Sequence, residues 1–316
     1  MTLLNTVKTA LHGLTANKLR AVLTALGVMI GVASVIATLA LGNGARAAVE
    51  QNFRFLGSDE IQISPEFKFD EEEGGAALAG ESLTYEDGLR LREAVPALKR
   101  VEMTVAGAAK VRHSRVVIDM TLTGTTADQL ASMAAGNQVQ PVNWPEGQPL
   151  TNEAFVGLGR FFTAAEVLSQ ARVCVLGYQT ALDLFEGDDP IAATIWVNRQ
   201  PCEVIGVMTE LIASDPEERL SSKPNESLFT PISTAIQDMF EDEPSVTISA
   251  HVADEARIQT TKSEIAAYLR HRHSVQAKEN GTYPDDFRMT SKDDILGAQQ
   301  EAARTFALLL SALAIV

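Results

Sequence analysis

The longest uninterrupted apolar run, Ala21–Leu41 (AVLTALGVMIGVASVIATLAL), contains no charged residue. As an α-helix it would extend about 31 Å at roughly 1.5 Å per residue, close to the hydrocarbon thickness of a bilayer. Its polar residues Thr24, Ser34 and Thr38 can bond back to the helix backbone. A signal peptide has an apolar core of only about 7–15 residues, so the pattern predicts a transmembrane helix over 19–42. Gly27 and Gly31 stand four apart in it, with Ser34 three further on. Small residues at that spacing let two membrane helices approach closely, which makes these three a candidate packing face. Ahead of the run, Leu3, Leu4, Val7, Leu11 and Leu14 recur at helical spacing. They predict an amphipathic helix over 1–18 lying on the cytoplasmic membrane surface and available for coupling. The closing FALLLSALAIV is too short to span and reads as the start of a second transmembrane helix (304–316) that continues past Val316.

Between these segments the pattern mixes α and β periods. Glu60–Ser64 alternates as a strand does. Residues 65–82, with Asp70-Glu71-Glu72-Glu73-Gly74-Gly75, predict a solvated loop. Thr84 with Asp87 three residues on marks a helix start, and Pro96 its end. Val101–Val111 and Ser114–Thr123 predict a hairpin turning at Arg112-His113. Pro141, Pro145 and Pro149 exclude regular structure over 137–149 and place a subdomain boundary near 140. Beyond it, Thr163–Ser169 and Gln179–Phe185 predict short helices. Arg172–Leu176, Thr194–Asn198 and Cys202–Met208 predict strands, and Glu210–Glu226 a polar loop. Ser245–Val252 predicts a strand with Val246, Ile248 and Ala250 inward. Ile258–Arg270 predicts a helix burying Ile258, Thr261, Ile265 and Leu269, and Asp286–Thr290 a closing strand.

Charge sharpens the topology. Residues 1–49 hold no acid, while 42–303 hold 22 basic and 41 acidic residues. Lys8, Lys18 and Arg20 before the run place the N-terminus in the cytoplasm and residues 43–303 outside. A net charge of −15 argues against nucleic acid as a partner. The chain has no phosphate-binding G-x-x-x-x-G-K-[ST], no G-x-S-x-G and no H-E-x-x-H, so no catalytic, cofactor or metal residue is assigned. His271 and His273 are two apart, do not share a helix face, and read as a surface helix end. Cys174 and Cys202 both fall in predicted strands. A disulfide is allowed between them, and two buried free thiols are the favoured reading.

Residues 17–45, NKLRAVLTALGVMIGVASVIATLALGNGA, resemble the first transmembrane helix of MacB-like and FtsX-like ABC transporter permeases. Further stretches are similar to that family in order: Leu83-Thr84-Tyr85-Glu86-Asp87 with Val95-Pro96, then Gly159-Arg160-Phe161-Phe162-Thr163. Val173-Cys174-Val175-Leu176-Gly177, Asp189-Pro190-Ile191, Val204-Ile205-Gly206-Val207, Leu269–His273 and Asp285-Asp286-Phe287 follow. The family usually has Gly after Asp-Pro-Ile, where this chain has Ala192. The resemblance implies an α+β extracytoplasmic domain inserted between transmembrane α-helices. It would have a porter-like part and a smaller β-rich part over about 140–230. It further implies a dimer with a second permease copy or paralogue, and ATP bound by a separate cytoplasmic ABC ATPase subunit rather than by this chain. A periplasmic adaptor protein, an outer-membrane channel and membrane lipid complete the implied partners. The implied function is coupling of ATP hydrolysis to movement of the outer domain for efflux or export. The alternative is a membrane-anchored regulatory or binding module, FtsX-like, that transports nothing.

Overall fold

The computed structural model describes residues 18–52, 59–70, 75–78, 80–136, 139–145, 148–213, 223–240, 244–298, 301–302 and 305. The chain divides into two units, Met1–Asn52 with Asp293–Val316, and Phe53–Lys292.

In the first unit the uncharged run lies in a 35-residue helix, α1 (Lys18–Asn52). Leu19, Val22, Leu23, Leu26, Val28, Met29, Ile30, Val32 and Ile36 are all exposed on it. Thr24 bonds back to Arg20 O at 2.9 Å. An ideal Cβ on Gly27 or Gly31 would meet nothing within 4 Å. Among the described residues no helix is long and apolar enough to cross a membrane. The side chains of Ser34 and Thr38 lie outside that description, as do the amphipathic stripe Leu3, Leu4, Val7, Leu11 and Leu14 and the closing apolar residues 306–316.

The second unit is built on a ten-stranded mixed sheet. Its strands are β1 (Glu60–Pro65), β4 (Leu98–His113), β5 (Val116–Thr125), β7 (Val156–Gly159), β8 (Val173–Leu176), β9 (Thr194–Val197), β10 (Gln200–Met208), β12 (Ser227–Pro231), β13 (Thr247–Val252) and β14 (Phe287–Ser291). The order is β14-β1-β13-β4-β5-β12-β8-β10-β7, with β9 paired to β10 and β4. The pairs β5–β12 and β8–β10 are parallel and the others antiparallel. Strands from the segment 140–230 are therefore hydrogen-bonded into the same sheet as β1, β4, β5, β13 and β14. Two small hairpins stand apart from it: β2 (Phe67–Asp70) with β3 (Gly75–Leu78), and β6 (Val139–Pro141) with β11 (Leu211–Ala213).

Helices cover the sheet: α2 (Tyr85–Ala94), α3 (Gln129–Gly136), α4 (Ala164–Leu168), α5 (Tyr178–Phe185) and α6 (Ile258–Arg272). α2 and α4 each begin with the capping box that Thr84/Asp87 and Thr163/Glu166 supply. α6 buries the predicted stripe Ile258, Thr261, Ile265 and Leu269. One core contains Ile61, Ile63, Leu91, Met103, Ile248, Ile265 and Leu269. A second contains Val111, Leu122, Leu176, Leu184, Ile195, Val204 and Leu228. Each such side chain contributes about 1.5–3 kcal/mol on burial.

Several expectations are corrected. The loop foreseen over 65–82 contains the β2–β3 hairpin, where Phe67 and Phe69 alternate with charged residues. The β4–β5 hairpin turns at Ser114-Arg115, with Ser114 in the left-handed region, so Arg112 and His113 stay in the strand. Val139–Pro141 is a strand despite its proline, because a short edge strand can lack one donor. Its partner β11 occupies the start of the foreseen polar loop 210–226. The helix α3 and the strand β12 were not foreseen. Finally, Cys174 and Cys202 are joined in a disulfide, with Cα atoms 6.0 Å apart, rather than standing as two thiols. Adjacent strands β8 and β10 bring the two buried residues together.

Candidate functional site

The segments that bracket the second unit enter it through β1 and leave it through β14. These two strands pair directly, from Ile61 opposite Ser291 to Pro65 opposite Phe287. Around the start of β14 the structure gathers a network of buried charge.

Asp87 sits at its centre with its side chain 2% exposed. As the third residue of α2 it accepts from Thr84 N at 2.8 Å and Thr84 Oγ1 at 2.7 Å. From the last turn of α6, Arg272 Nε donates to Asp87 Oδ1 at 2.5 Å. His273 Nε2 lies 3.4 Å from Asp87 Oδ2, and His273 Nδ1 lies 2.8 Å from Asp286 Oδ2. Tyr268 Oη donates to the Asp87 carbonyl at 3.1 Å. Burial alone would raise the Asp87 carboxyl. The bonds from Thr84, Arg272 and His273 outweigh it and hold the group below the usual carboxylate range. His273 is thus not a surface helix end. Its side chain is 4% exposed and bridges two carboxylates brought by α2 and the approach to β14. His271 is exposed as expected.

The neighbouring contacts fasten the same corner. Arg270 makes a bidentate pair with Asp285, at 2.8 and 2.6 Å, and its guanidinium lies 4.0 Å from the Tyr283 ring centroid. Arg288 on β14 makes a bidentate pair with Glu66, both bonds at 2.8 Å. Glu66 N donates to Asp286 O at 2.8 Å. Gly80 passes so close that an added Cβ would lie 2.7 Å from Asp286 Cβ.

A second buried group lies further along the sheet. Glu102 on β4 is 4% exposed, with Arg100 Nε at 2.5 Å and His251 Nε2 at 3.7 Å. Burial raises its carboxyl to about 7 against opposing help from Ser132 and Arg100. His251 is held below the usual histidine value, by burial first and by Arg100 second.

Neither cluster presents a nucleophile beside a base. Among the described residues no group of three or more His, Cys, Asp or Glu is placed to hold a metal ion. What the first arrangement can do is mechanical: charge-assisted bonds lock α2, α6 and β14 into one body. The candidate residues named from sequence, Gly27, Gly31 and Ser34, lie on α1 and not in this network. Sequence reasoning missed Asp87 as a hub and Glu102 altogether. The signal for Asp87 was its capping-box position, which explains two of its bonds but not those from α6.

Residues 21–268 match the family described as MacB-like periplasmic core domain. The chain is 29% identical over 316 residues to the macrolide export ATP-binding/permease protein MacB of Azoarcus sp. strain BH72, covering 99% of this chain and 42% of that protein. It is 25% identical over 303 residues to the protein of the same name in Bdellovibrio bacteriovorus, covering 96% and 42%. The chain therefore spans about two-fifths of the length of these relatives. Among solved structures, the periplasmic region of MacB from Actinobacillus actinomycetemcomitans has a similar fold. Its TM-score is 0.57 at 16% identity, over 80% of this chain and 98% of that one. The extracellular domain of the noncanonic ABC-type transporter YknZ from Gram-positive bacteria gives a TM-score of 0.51 at 20% identity, over 73% and 100%. The mixed α+β unit is thus an extracytoplasmic domain of the MacB type, and the chain belongs to the MacB-like periplasmic core domain family of ABC transporter permeases.

Proposed function

We propose that this chain is the membrane-anchored and extracytoplasmic part of a permease that couples cytoplasmic ATP hydrolysis to movement of its outer domain, in efflux or export. In this reading Ala21–Leu41 crosses the membrane, residues 43–303 lie outside, and the protein is multi-pass in the inner membrane. The exposed apolar surface of α1 needs a non-aqueous surrounding, which supports the crossing. Gly27, Gly31 and Ser34 would face a second permease copy or paralogue. The stripe Leu3, Leu4, Val7, Leu11 and Leu14 would meet lipid and a cytoplasmic ABC ATPase. The relatives are named ATP-binding/permease proteins, and ATP hydrolysis here would fall to a partner subunit. A periplasmic adaptor and an outer-membrane channel would extend the path.

The observation that carries the reading, beyond the family itself, is the pairing of β1 with β14 under the Asp87–Arg272–His273–Asp286 network. The segments before β1 and after β14 hence pull on adjacent strands that are bonded to α2 and α6. In this reading a displacement of either segment is passed to adjacent strands of one bonded body. The test is the complete transporter in proteoliposomes with Asp87→Asn and Arg272→Gln. Transport should fall at least fivefold while ATP hydrolysis and assembly persist. Transport at the unsubstituted rate in both variants would refute the coupling role.

A further inference from the structure

One solvent-facing area of the sheet carries cations and an aromatic ring in register. Arg112 on β4 lies opposite Val117 on β5 and Trp196 on β9, and Lys110 lies opposite Asp119. The reverse face of the same strands is core, with Val111, Leu122, Ile195 and Val197 fully buried. Val117 and Trp196 are by contrast 53% and 40% exposed. The Arg112 guanidinium lies 5.5 Å from the Trp196 ring centroid. With Asn198 and Arg199 these residues line a cleft of about 540 Å3.

The cleft is held in shape before any partner arrives. Asn198 and Arg199 form the turn between β9 and β10 at φ 45° and 74°, in the left-handed region that most side chains avoid. Asn198 pays for that by locking onto its neighbours. Its Oδ1 accepts from Lys110 N at 2.8 Å, its N donates to Lys110 O at 2.9 Å, and its Nδ2 donates to Met239 O at 2.8 Å. Lys110, Arg112 and Arg199 thus converge around Trp196 on a chain of net charge −15. The Lys110–Asp119 pair spans 3.8 Å with both side chains largely exposed, so another carboxylate can take its place.

We propose that this face docks an acidic, extended segment of a partner protein. Lys110 and Arg112 are alternate residues of one strand, about 6.6 Å apart along it. A partner segment with carboxylates at alternate positions presents them on one face at that spacing, toward Lys110 and Arg112 beside Trp196. Tryptophan and arginine are the residues that most often dominate protein interfaces. A positive face on a chain of net charge −15 selects for an acidic partner.

The chain holds two tryptophans, Trp144 and Trp196, so Trp144→Phe leaves Trp196 as the sole reporter. The probe is the peptide Glu-Leu-Glu-Leu-Glu, titrated into the full chain in neutral detergent while Trp196 fluorescence is followed. A saturable change is expected, weakened at least tenfold by Lys110→Gln with Arg112→Gln and at least tenfold for the Gln-Leu-Gln-Leu-Gln peptide. Both substituted side chains face solvent, and an unchanged thermal transition will confirm the fold of the variant. Three results would each overturn the proposal: no saturable change up to millimolar peptide, equal binding of the glutamine peptide, or undiminished binding by the variant. Binding of phosphatidylglycerol vesicles through Lys110 and Arg112 without peptide binding would reassign the face to lipid and overturn it too.

Discussion

Ala192 occupies the position where the family resemblance implies glycine, and the structure gives a physical reason for such a preference. Pro190–Ala193 forms a turn closed by Ala193 N donating to Pro190 O at 3.1 Å, and Ala192 is its third residue. There φ is 62°, the left-handed region that a turn of this kind requires. The backbone cannot relax, because Ala192 N is tied to Val204 O at 2.8 Å and Ile191 N to Asp189 Oδ1 at 3.0 Å. A left-handed residue with a Cβ costs about 1–2 kcal/mol, and glycine avoids this. Glycine also loosens the unfolded chain, by about 0.4–1 kcal/mol. The Ala192 methyl is exposed, so its removal forfeits little burial. Ala192→Gly is expected to stabilise the outer unit by about 0.5–1 kcal/mol, a rise in Tm of about 1–4 °C for a domain of this size. Ala192→Val should act in the opposite direction, since branching at Cβ worsens the clash. Thermal unfolding of the three proteins, read by near-UV circular dichroism, decides. A lower Tm for the glycine variant, or equal Tm values for all three, would refute the strain argument.

Glu102→Gln should remove one contribution to the pH dependence of stability. The folded carboxyl is raised from about 4.5 to about 7, so the fold binds the extra proton and loses stability as pH rises through that window; the urea midpoint at pH 8, relative to that at pH 5, should rise in the variant. Replacing Cys174 and Cys202 together by Ala removes a link across 28 residues and should lower stability by about 2–4 kcal/mol, seen as a lower denaturant midpoint under oxidising conditions. Asp87→Ala leaves Arg272 and His273 without their shared carboxylate and removes the cap of α2. A loss of about 3 kcal/mol is expected, measurable by the same midpoint, with Asp87→Asn losing less.

Local signals were legible where one short-range rule dominated. The capping box at Thr84 fixed one helix start, and the apolar stripe of α6 fixed its buried face. The signals failed where burial came from elements distant in sequence. All five residues of β12 are buried, because it lies mid-sheet between β5 and β8, so no alternation marked it. The pairing of β2 with β3 was hidden by the acidic sequence between them. The disulfide needed β8 and β10 to be neighbours, and they lie parallel with helix α5 and strand β9 between them in sequence. The charge network was illegible for the same reason: Asp87 and Arg272 are 185 residues apart.

The two clusters also divide the labour of the domain in a testable way. The corner at Asp87 is built from bonds that strengthen the charged state, with Arg272 and Thr84 outweighing burial. Glu102 is the reverse, a carboxyl that burial raises to about 7, so that it changes charge across the neutral range. A rigid transmitter needs the first kind, because its geometry must not change with ambient pH. The second kind makes the β4–β13 region a part of the described sheet whose bonding shifts across the neutral range. Under the proposed coupling, the Asp87 carboxylate stays charged across the neutral range and holds Arg272 there. A pH dependence of transport that persists in Glu102→Gln must then arise from another group, and His251, 3.7 Å from that carboxyl and held below the usual histidine value, is the first to replace.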